Sequence, residues 1–369
     1  MRPTADVIVV GGGPAGSTCA WRLRRAGLDV VVIDRAVFPR DKTCAGWITP
    51  AVVARLELDL EAYAAARTLQ AFTGFRIGLI GRDTRLVDFG EVVSWGIRRC
   101  EFDRWLLDRS GARQRTGEPV KAMRREGDLW VVNEERAPVV VGAGGHFCPV
   151  ARWLNPGARH EVVVAAQETE FVLDAGEAAR HPVAPGTPAL YFWPDLTGYG
   201  WCVRKGRYVN IGVGRLQPDS FPSAVREFQA FLESAGVMPA GAPRRWKGHA
   251  YLLDRTSRRR VHDAGVLIAG DAAGLARAPS GEGILPAVES GLMAAEAILD
   301  ARPVFTRDAL APYAEAVARR FAWRGERAPG PGVPAWLARA AGRIVLASDW
   351  MTRHWLIERA FLHRDRRAA

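Results

Sequence analysis

The sequence lacks the features that would identify several whole classes of protein. No uninterrupted apolar run reaches the roughly 18 residues that a membrane-spanning helix requires. The apolar share of 48% and the charged share of 25% are typical of a globular protein, which excludes disorder and collagen-like structure. At 369 residues, the chain is too long for one hydrophobic core, so we expect two or more lobes.

Cysteine is scarce and scattered. The five residues are an odd number and form no Cys-x-x-Cys pair, so neither a disulfide framework nor a metal site is expected. The segment Met1 to Asp6 runs almost directly into a buried-strand pattern, which leaves no room for a signal peptide. These observations predict a cytoplasmic, reducing environment. The cysteines are Cys19, Cys44, Cys100, Cys148 and Cys202.

Lysine is also rare, because only four of the 51 basic residues are lysine and the other 47 are arginine. The formal net charge of +11 therefore reflects coding bias as much as a polyanionic partner. No recognition motif or basic run with interleaved aromatics accompanies the charge, so we expect no nucleic-acid partner. An anionic membrane surface and an anionic cofactor both stay open.

The N-terminus has the pattern of a dinucleotide-binding βαβ unit. A short β-branched strand, Val7 to Val10, is followed at once by glycines spaced G-x-G-x-x-G at Gly11, Gly13 and Gly16. The first glycine permits the tight turn, the second lets a pyrophosphate approach the backbone, and the third lets helix and strand pack closely. The predicted helix, about 15–26, would point its positive end at the phosphates.

A second strand and a later segment identify the dinucleotide more closely. The strand Val30 to Ile33 ends in Asp34, whose carboxylate would accept hydrogen bonds from the adenosine ribose. Far along the chain, the stretch Val266 to Gly274 reads as a buried strand that runs into the turn Gly270-Asp271, and an apolar helix starts near Ile284. There Asp271 would bind ribityl hydroxyls, and the helix N-terminus would stabilise negative charge on a reduced flavin ring. We therefore predict FAD.

On these residues, the chain resembles the geranylgeranyl reductase family of FAD-dependent oxidoreductases, within the para-hydroxybenzoate hydroxylase superfamily. Four stretches carry the resemblance and follow the family's order. They are Gly11 to Gly16; Lys42 to Trp47 with Thr49-Pro50; Tyr191 to Trp193 continuing through Gly198 to Trp201 and Asn210 to Gly214; and Gly270 to Gly291. The family's Y-x-W-x-F-P motif is met in part by Tyr191 and Trp193, after which Pro194-Asp195-Leu196 replaces the rest.

The resemblance implies a set of site residues. As catalytic residues it implies Cys44, Tyr191 and Trp193, although an inert apolar role for the Cys44 thiol stays open. Arg99 would contact the flavin ring edge or a phosphate, and the region from Val120 would contact the adenine. The FAD-binding residues are predicted to be Gly11, Gly13, Pro14, Ala15, Gly16, Asp34, Arg35, Arg99, Val120, Gly270, Asp271, Gly281, Gly283 and Ile284.

The resemblance also implies an activity. FAD, reduced by NAD(P)H or another reductant, would deliver hydride to a C=C bond of a hydrophobic substrate, prenyl or similar. An alternative is an FAD-dependent monooxygenase or hydroxylase acting on an aromatic or polyketide-like secondary metabolite, because one fold serves several chemistries. A flavoprotein electron carrier is a third interpretation, disfavoured by the large strand-rich insertion.

The predicted fold class is α/β, with a Rossmann-like FAD-binding lobe, a discontinuous mixed or antiparallel substrate sheet, and C-terminal helices. We assign 1–70, 96–160 and 251–300 to the FAD lobe, 71–95 and 161–250 to the substrate lobe, and 301–369 to the helical region. In that last region a stripe including Ile344, Met351, Trp355 and Leu362 predicts an amphipathic helix or helix pair. Packing against the core and peripheral contact with a membrane both fit it.

Overall fold

The computed structural model describes residues 2–157, 161–216, 221–239, 245–278, 280–321, 323 and 335–362, of which 335–339 are described by their backbone alone. Its strands are β1 (Val7–Val10), β2 (Val30–Asp34), β3 (Trp47–Ile48), β4 (Leu69–Phe72), β5 (Gly74–Leu79), β6 (Arg85–Asp88), β7 (Ser94–Ile97), β8 (Arg113–Thr116), β9 (Met123–Glu126), β10 (Leu129–Val132), β11 (Glu135–Ala137), β12 (Val139–Gly142), β13 (Val163–Val172), β14 (Ala189–Phe192), β15 (Gly198–Lys205), β16 (Tyr208–Arg215), β17 (Lys247–Leu252), β18 (His262–Asp263) and β19 (Val266–Ile268).

The helices are α1 (Pro14–Arg25), α2 (Pro50–Arg55), α3 (Leu60–Ala64), α4 (Arg99–Arg109), α5 (Pro149–Leu154), α6 (Ala175–Arg180), α7 (Phe221–Ser234), α8 (Ile284–Ala301), α9 (Ala311–Arg320), α10 (Ala335–Ala347) and α11 (Asp349–Met351). A 3₁₀ turn covers Gly270–Ala272 and a π-helical segment covers Thr352–Phe361. None of the helices in the described ranges combines the length and hydropathy that crossing a bilayer requires.

Unit 1 comprises Met1–Asp41, Cys100–Val162 and Tyr251–Pro329. Its six-stranded sheet has the order β18-β19-β12-β1-β2-β8 and is parallel except for the edge strand β18. Every residue of β1 is buried, as the β-branched run predicts for a strand covered on both faces. Helices α1 and α8 pack closely because Gly291 has no side chain, and a Cβ there would lie 2.4 Å from the Ala15 carbonyl oxygen.

Unit 2 comprises Lys42–Arg99, Val163–Ala250 and Gly330–Ala369. Its seven-stranded sheet has the order β17-β13-β16-β15-β14-β5-β6, and the pair β14-β5 is parallel. A second sheet has the order β3-β7-β4. The parallel sheet of unit 1 and the mixed sheet of unit 2 confirm the predicted fold class.

Apart from shifts of a few residues near 96–99 and 161–162, the predicted lobe boundaries differ from this division in two regions. Residues from Lys42 onward group with unit 2, not with 1–41, because β3 and β4 both pair with β7. The region 301–369 is divided between the units. Helix α9 joins the core of unit 1 through Tyr313 and Val317, whereas Ile357 and Phe361 join the core of unit 2.

The C-terminal stripe is exposed at Ile344 and Trp355, half-buried at Met351 and buried only at Leu362 among its four named members. Ile344 and Trp355 are 59% and 52% exposed, whereas Ile357 and Phe361 are buried. The reason is a break at Ser348, which caps α11, followed by a π-helical segment that shifts the phase of the turn.

Candidate functional site

The glycine-rich turn after β1 is shaped by close backbone contacts. Gly11 has a φ of +113°, and a Cβ there would lie 2.4 Å from the Ala143 carbonyl oxygen. A Cβ on Gly16 would lie 1.9 Å from the Gly11 carbonyl oxygen. Both positions therefore require glycine for the fold itself.

Gly13 differs from its neighbours because its side-chain position is open. Among the residues that the structure describes, only the Arg40 Nη2 atom, at 3.3 Å, would lie within 4 Å of a Cβ there. The φ and ψ of Gly13, −78° and −174°, are ones that any residue adopts. Glycine at this position is thus explained by the space in front of the backbone and not by packing.

The start of α1 faces that space and has no side-chain cap among the residues that the structure describes. Gly13 is the N-cap and Pro14 is the first helical residue, yet no side chain caps the helix and its first turn holds no acidic residue. The first N–H groups of a helix lack internal acceptors and carry the positive end of the dipole. Ala15 and Gly16 therefore lie where a phosphate binds in dinucleotide-binding folds.

Asp34 ends β2 and closes the turn from the other side. Its Oδ2 accepts a hydrogen bond of 2.7 Å from the Gly12 N–H, and its Oδ1 accepts one of 2.8 Å from the Ala36 N–H. Since each carboxylate oxygen can accept more than one hydrogen bond, these contacts orient Asp34 and leave it able to accept a ribose hydroxyl. The next residue, Arg35, is exposed.

Arg40 lies beside Gly13 and was not singled out by the sequence analysis. Its Nη2 lies 3.0 Å from Oδ2 of the buried Asp103, and its guanidinium carbon lies 4.9 Å from the Phe38 ring centroid. Its Nη1 is buried and makes no hydrogen bond within the described ranges. Arg40 thus brings positive charge and a buried donor beside Gly13. Nothing in the pattern separates it from 46 other arginines, so proximity in the fold is the only signal.

The second predicted cofactor segment lies at the same edge of the unit 1 sheet. Strands β1 and β19 both run parallel to β12, so their carboxyl ends lie at one edge. After β19, the Gly270 N–H donates a hydrogen bond of 2.9 Å to Ser290 Oγ. Helix α8 begins at Ile284 with Gly283 as N-cap, no capping side chain and no acid in its first turn.

Asp271 and Gly281 flank the start of α8. A Cβ on Gly283 would lie 3.4 Å from Asp271 Oδ1, which places this carboxylate beside the helix N-terminus. Gly281 has a φ of +67° and lies against the Tyr251 hydroxyl. Unit 1 thus brings together the predicted residues of both segments.

Val120 lies outside the strands and packs, half-buried, against the core of unit 1, and Arg99 begins α4. Pro279 lies outside the described residues.

Cys44 lies in a loop of unit 2 that is fixed by hydrogen bonds. Its N–H donates to Glu168 Oε2 at 2.8 Å, and the Gly46 N–H donates to the Cys44 Sγ at 3.4 Å. Gly46 has a φ of +68°, and a Cβ there would lie 2.1 Å from the Ile97 carbonyl oxygen. The Cys44 side chain is half-buried, unlike the buried thiols of Cys19, Cys148 and Cys202.

Tyr191 and Trp193 do not share a face of the sheet with this loop. They pack against Phe228 of α7, with ring centroids 5.8 and 5.9 Å from its ring. Burial of Tyr191 raises the pKa of its hydroxyl well above the ordinary value. The structure thus separates these two predicted catalytic residues from Cys44.

A second Tyr-x-Trp pair, Tyr199 and Trp201, lies on the face that Cys44 contacts. Register shows this, because Trp201 and Glu168 are both paired with Gly212 across neighbouring strands. Side chains alternate along a strand, so Trp201, its partner Leu190 and Glu168 point to one face, and Tyr191 points to the other.

Aromatic rings cover this face. The Trp47 ring stacks on Phe361 at 5.4 Å and contacts Phe75 at 4.8 Å, and Tyr199 contacts Phe361 at 5.7 Å. Trp47 and Tyr199 are half-buried. Because Trp47 follows the Cys44 loop directly, the loop and the aromatic face of unit 2 are continuous.

The chain is similar to several known proteins. Residues 6–95 match the FAD dependent oxidoreductase family. The chain is 31% identical over 319 residues to geranylgeranyl diphosphate reductase of Rhodobacter capsulatus, covering 80% of this chain and 75% of that protein. It is 32% identical over 322 residues to menaquinone reductase of Mycobacterium tuberculosis, covering 81% and 77%.

The fold is also similar to that of a solved structure. A crystal structure of a geranylgeranyl bacteriochlorophyll reductase-like protein from Thermoplasma acidophilum superposes with a TM-score of 0.72 at 22% identity, covering 94% of this chain and 89% of that one. The open position at Gly13, the helix starts without side-chain caps and the buried donor of Arg40 suit the binding of an anionic group such as the FAD diphosphate. The chain is an FAD-dependent oxidoreductase and belongs to the geranylgeranyl reductase family.

Proposed function

We propose that the chain reduces C=C bonds of a hydrophobic, prenyl-like small molecule. The observation that carries the proposal is the aromatic face of unit 2, which continues from the Cys44 loop through Trp47 to Tyr199 and Phe361. Aromatic rings offer large apolar contact area to a long chain. The names of the relatives, which refer to geranylgeranyl diphosphate and menaquinone, support a substrate of this class and support a reductase over a monooxygenase.

We infer that unit 1 is the FAD-binding lobe and unit 2 is the substrate lobe. In unit 1, the diphosphate would bind at Gly13 and the first turn of α1, with Arg40 as a charged partner. Asp34 would bind the ribose, and Asp271 would bind ribityl hydroxyls beside the start of α8. The roles of Arg35, Arg99 and Val120 stay predictions.

When bound and reduced, FAD supplies a hydride to one carbon of the double bond. The chain's own residues would do the rest. The aromatic face would orient the substrate and exclude water, and the Cys44 thiol would donate a proton to the other carbon. The Gly46 N–H, which donates to Cys44 Sγ, would then stabilise the thiolate that this leaves.

The reductant is proposed to bind transiently. The sequence contains no second G-x-G-x-x-G motif after a strand, so the chain offers no second dinucleotide site of that type. NAD(P)H would therefore react from a short-lived complex, or a reduced ferredoxin or quinol would take its place.

Anaerobic turnover tests the proposed activity. Purified protein loaded with FAD, supplied with reductant and geranylgeranyl diphosphate under nitrogen, is expected to yield products that gain two hydrogens per turnover, detected by mass spectrometry. Turnover that requires oxygen and inserts it into product would instead establish the monooxygenase.

The two Tyr-x-Trp pairs provide a matched control within this assay. Tyr199→Leu removes a half-buried ring from the aromatic face and is expected to raise KM about tenfold, since about 1.5 kcal/mol of apolar and ring contact is lost. Tyr191→Leu makes the same substitution on the face packed against α7, and its KM should stay within about twofold of wild type. If Tyr191→Leu raised KM more than Tyr199→Leu did, the substrate would contact Tyr191 and not Tyr199.

We further propose that the C-terminal segment contacts an anionic membrane surface. Trp350 is 62% exposed and Trp355 is 52% exposed, and Arg353 and Arg359 lie within the same segment. Exposed tryptophans beside cations are typical of surfaces that insert at the headgroup level. The side chain of Trp336 lies outside the described residues.

Vesicle sedimentation tests this contact. The protein should bind vesicles containing phosphatidylglycerol. The double variant Trp350→Ala/Trp355→Ala should bind them more weakly by about tenfold or more, because two apolar anchors are lost. Trp153→Ala, which removes a tryptophan that is 45% exposed in unit 1, is the matched control and should bind normally. Equal binding by all three proteins would contradict a C-terminal membrane contact.

A further inference from the structure

Buried polar side chains of the unit 2 sheet form hydrogen bonds with the loop that carries Cys44. Glu168 on β13 accepts the Cys44 N–H at 2.8 Å, and Lys205 on β15 lies 3.4 Å from the Ala45 carbonyl oxygen. Glu168 is 5% exposed and Lys205 is 1% exposed. Two consecutive residues of the loop are therefore fixed through their backbone groups, with the thiol left half-buried.

Glu168 is itself oriented by a chain of hydrogen bonds across the sheet. Its Oε2 also accepts from Asn210 Nδ2 at 2.9 Å, and the Asn210 Oδ1 accepts from Trp201 Nε1 at 2.7 Å. The indole of Trp201 lies across Gly212, where a Cβ would be 2.1 Å from the ring. The side chains of Glu168, Asn210 and Trp201 thus form one continuous chain that ends at the Cys44 N–H.

The charges below the loop are arranged around Glu168. Burial raises the pKa of its carboxyl group above the ordinary value, although Asn210, the Cys44 N–H and Lys205 oppose this. Lys205 is paired with Glu170 at 2.8 Å, and Arg98 lies 2.9 Å from the other oxygen of Glu170. Burying a carboxyl group costs free energy, and the hydrogen bonds from Asn210 and the Cys44 N–H offset part of that cost.

We propose that Glu168 is a positioning residue that fixes the Cys44 thiol by holding the backbone N–H of Cys44. It does not touch the thiol, and it acts through the loop. That this position serves the reaction rests on the proposed function, but the positioning itself does not. To hold the Cys44 N–H, residue 168 needs a hydrogen-bond acceptor at the position of Glu168 Oε2 and a side chain long enough to reach the loop.

Thiol alkylation tests the positioning without any turnover. In FAD-loaded protein at fixed pH, iodoacetamide modification of Cys44 is followed by peptide mass spectrometry, with the half-buried Cys100 of unit 1 as internal reference. Glu168→Ala should change the Cys44 rate about tenfold relative to Cys100, because it removes the acceptor of the Cys44 N–H and frees the loop from that contact. Glu168→Gln offers an amide oxygen at the same reach and should stay within about twofold of wild type.

A matched variant separates positioning from loss of stability. Ile211→Ala removes a buried side chain next to Asn210 that packs in the core on the α7 side of the sheet, so it should lower the melting temperature and leave the Cys44 rate unchanged. An unchanged Cys44 rate in Glu168→Ala, or a change of equal size in Ile211→Ala or Glu168→Gln, would overturn the proposal. If alkylation behaves as expected while Glu168→Ala retains wild-type kcat, the role of Cys44 in the reaction fails and the positioning stands.

Discussion

Gly13→Val is expected to give a folded protein that retains no FAD. The backbone angles of Gly13 suit valine, and only Arg40 Nη2, at 3.3 Å, would lie within 4 Å of the new Cβ in the described part of the chain. The branched side chain would instead fill the space before the first turn of α1, where we place the diphosphate. Overlap of this kind costs about 3 kcal/mol, which weakens binding about 100-fold. Flavin absorbance per protein after gel filtration measures the result.

Two further glycine variants show whether the effect is specific. Gly157→Val places the same side chain at an open position of unit 1 and should retain FAD fully. Gly16→Val should fail to fold, because its Cβ would lie 1.9 Å from the Gly11 carbonyl oxygen. If Gly13→Val kept a full complement of flavin, the diphosphate would have to bind elsewhere and the assignment of this turn would be wrong.

The fold of the glycine-rich turn could be predicted largely from sequence because most of its signals are local. Strand β1 has the predicted bounds, and α1 begins one residue before the predicted start. Gly16 is required by Gly11, a neighbour close in sequence, and Gly13 is open, whereas Gly11 is required by the distant Ala143 carbonyl oxygen. The strand after the turn and its terminal Asp34 also follow in a fixed order, so one pattern specified several contacts at once.

The substrate side could not be predicted as well, because its contacts depend on which face of a sheet a residue occupies. The sequence contains two Tyr-x-Trp pairs of equal spacing, at Tyr191 and Tyr199, and both lie in or beside strands. A shift of one residue reverses the face, and only the pairing of β14, β15 and β16 decides it. Glu168 was missed for the same reason, since its contact with Cys44 joins residues 124 positions apart.

The C-terminal region shows a third limit. Its three-and-four spacing correctly predicted helix, but helical phase is kept only while the turn is regular. The interruption at Ser348 and the π-helical turns that follow place Ile357 and Phe361 in the core and expose Trp355. The spacing of apolar residues alone does not show where a helix is interrupted in this way.

Cys44→Ala is expected to bind FAD normally and to reduce substrate about 100-fold more slowly, the usual size of a general-acid contribution. Flavin reduction by the external donor should be spared, because the proton is needed only after hydride transfer. Cys44→Ser retains a donor of similar size, but an alcohol is a far weaker acid than a thiol, so its rate should fall between wild type and Cys44→Ala. Stopped-flow measurement of the two half-reactions separates these steps.

The control for this prediction is Cys100→Ala, which removes the other half-buried thiol from a helix of unit 1 and should leave both half-reactions unchanged. The position of Cys44 argues for a specific role. The Gly46 N–H is directed at its sulfur, a contact that a thiol that only filled space would not need. Substrate reduction at the wild-type rate in Cys44→Ala would nevertheless show that this contact serves the loop alone, and the proton would then have to come from another donor or from water.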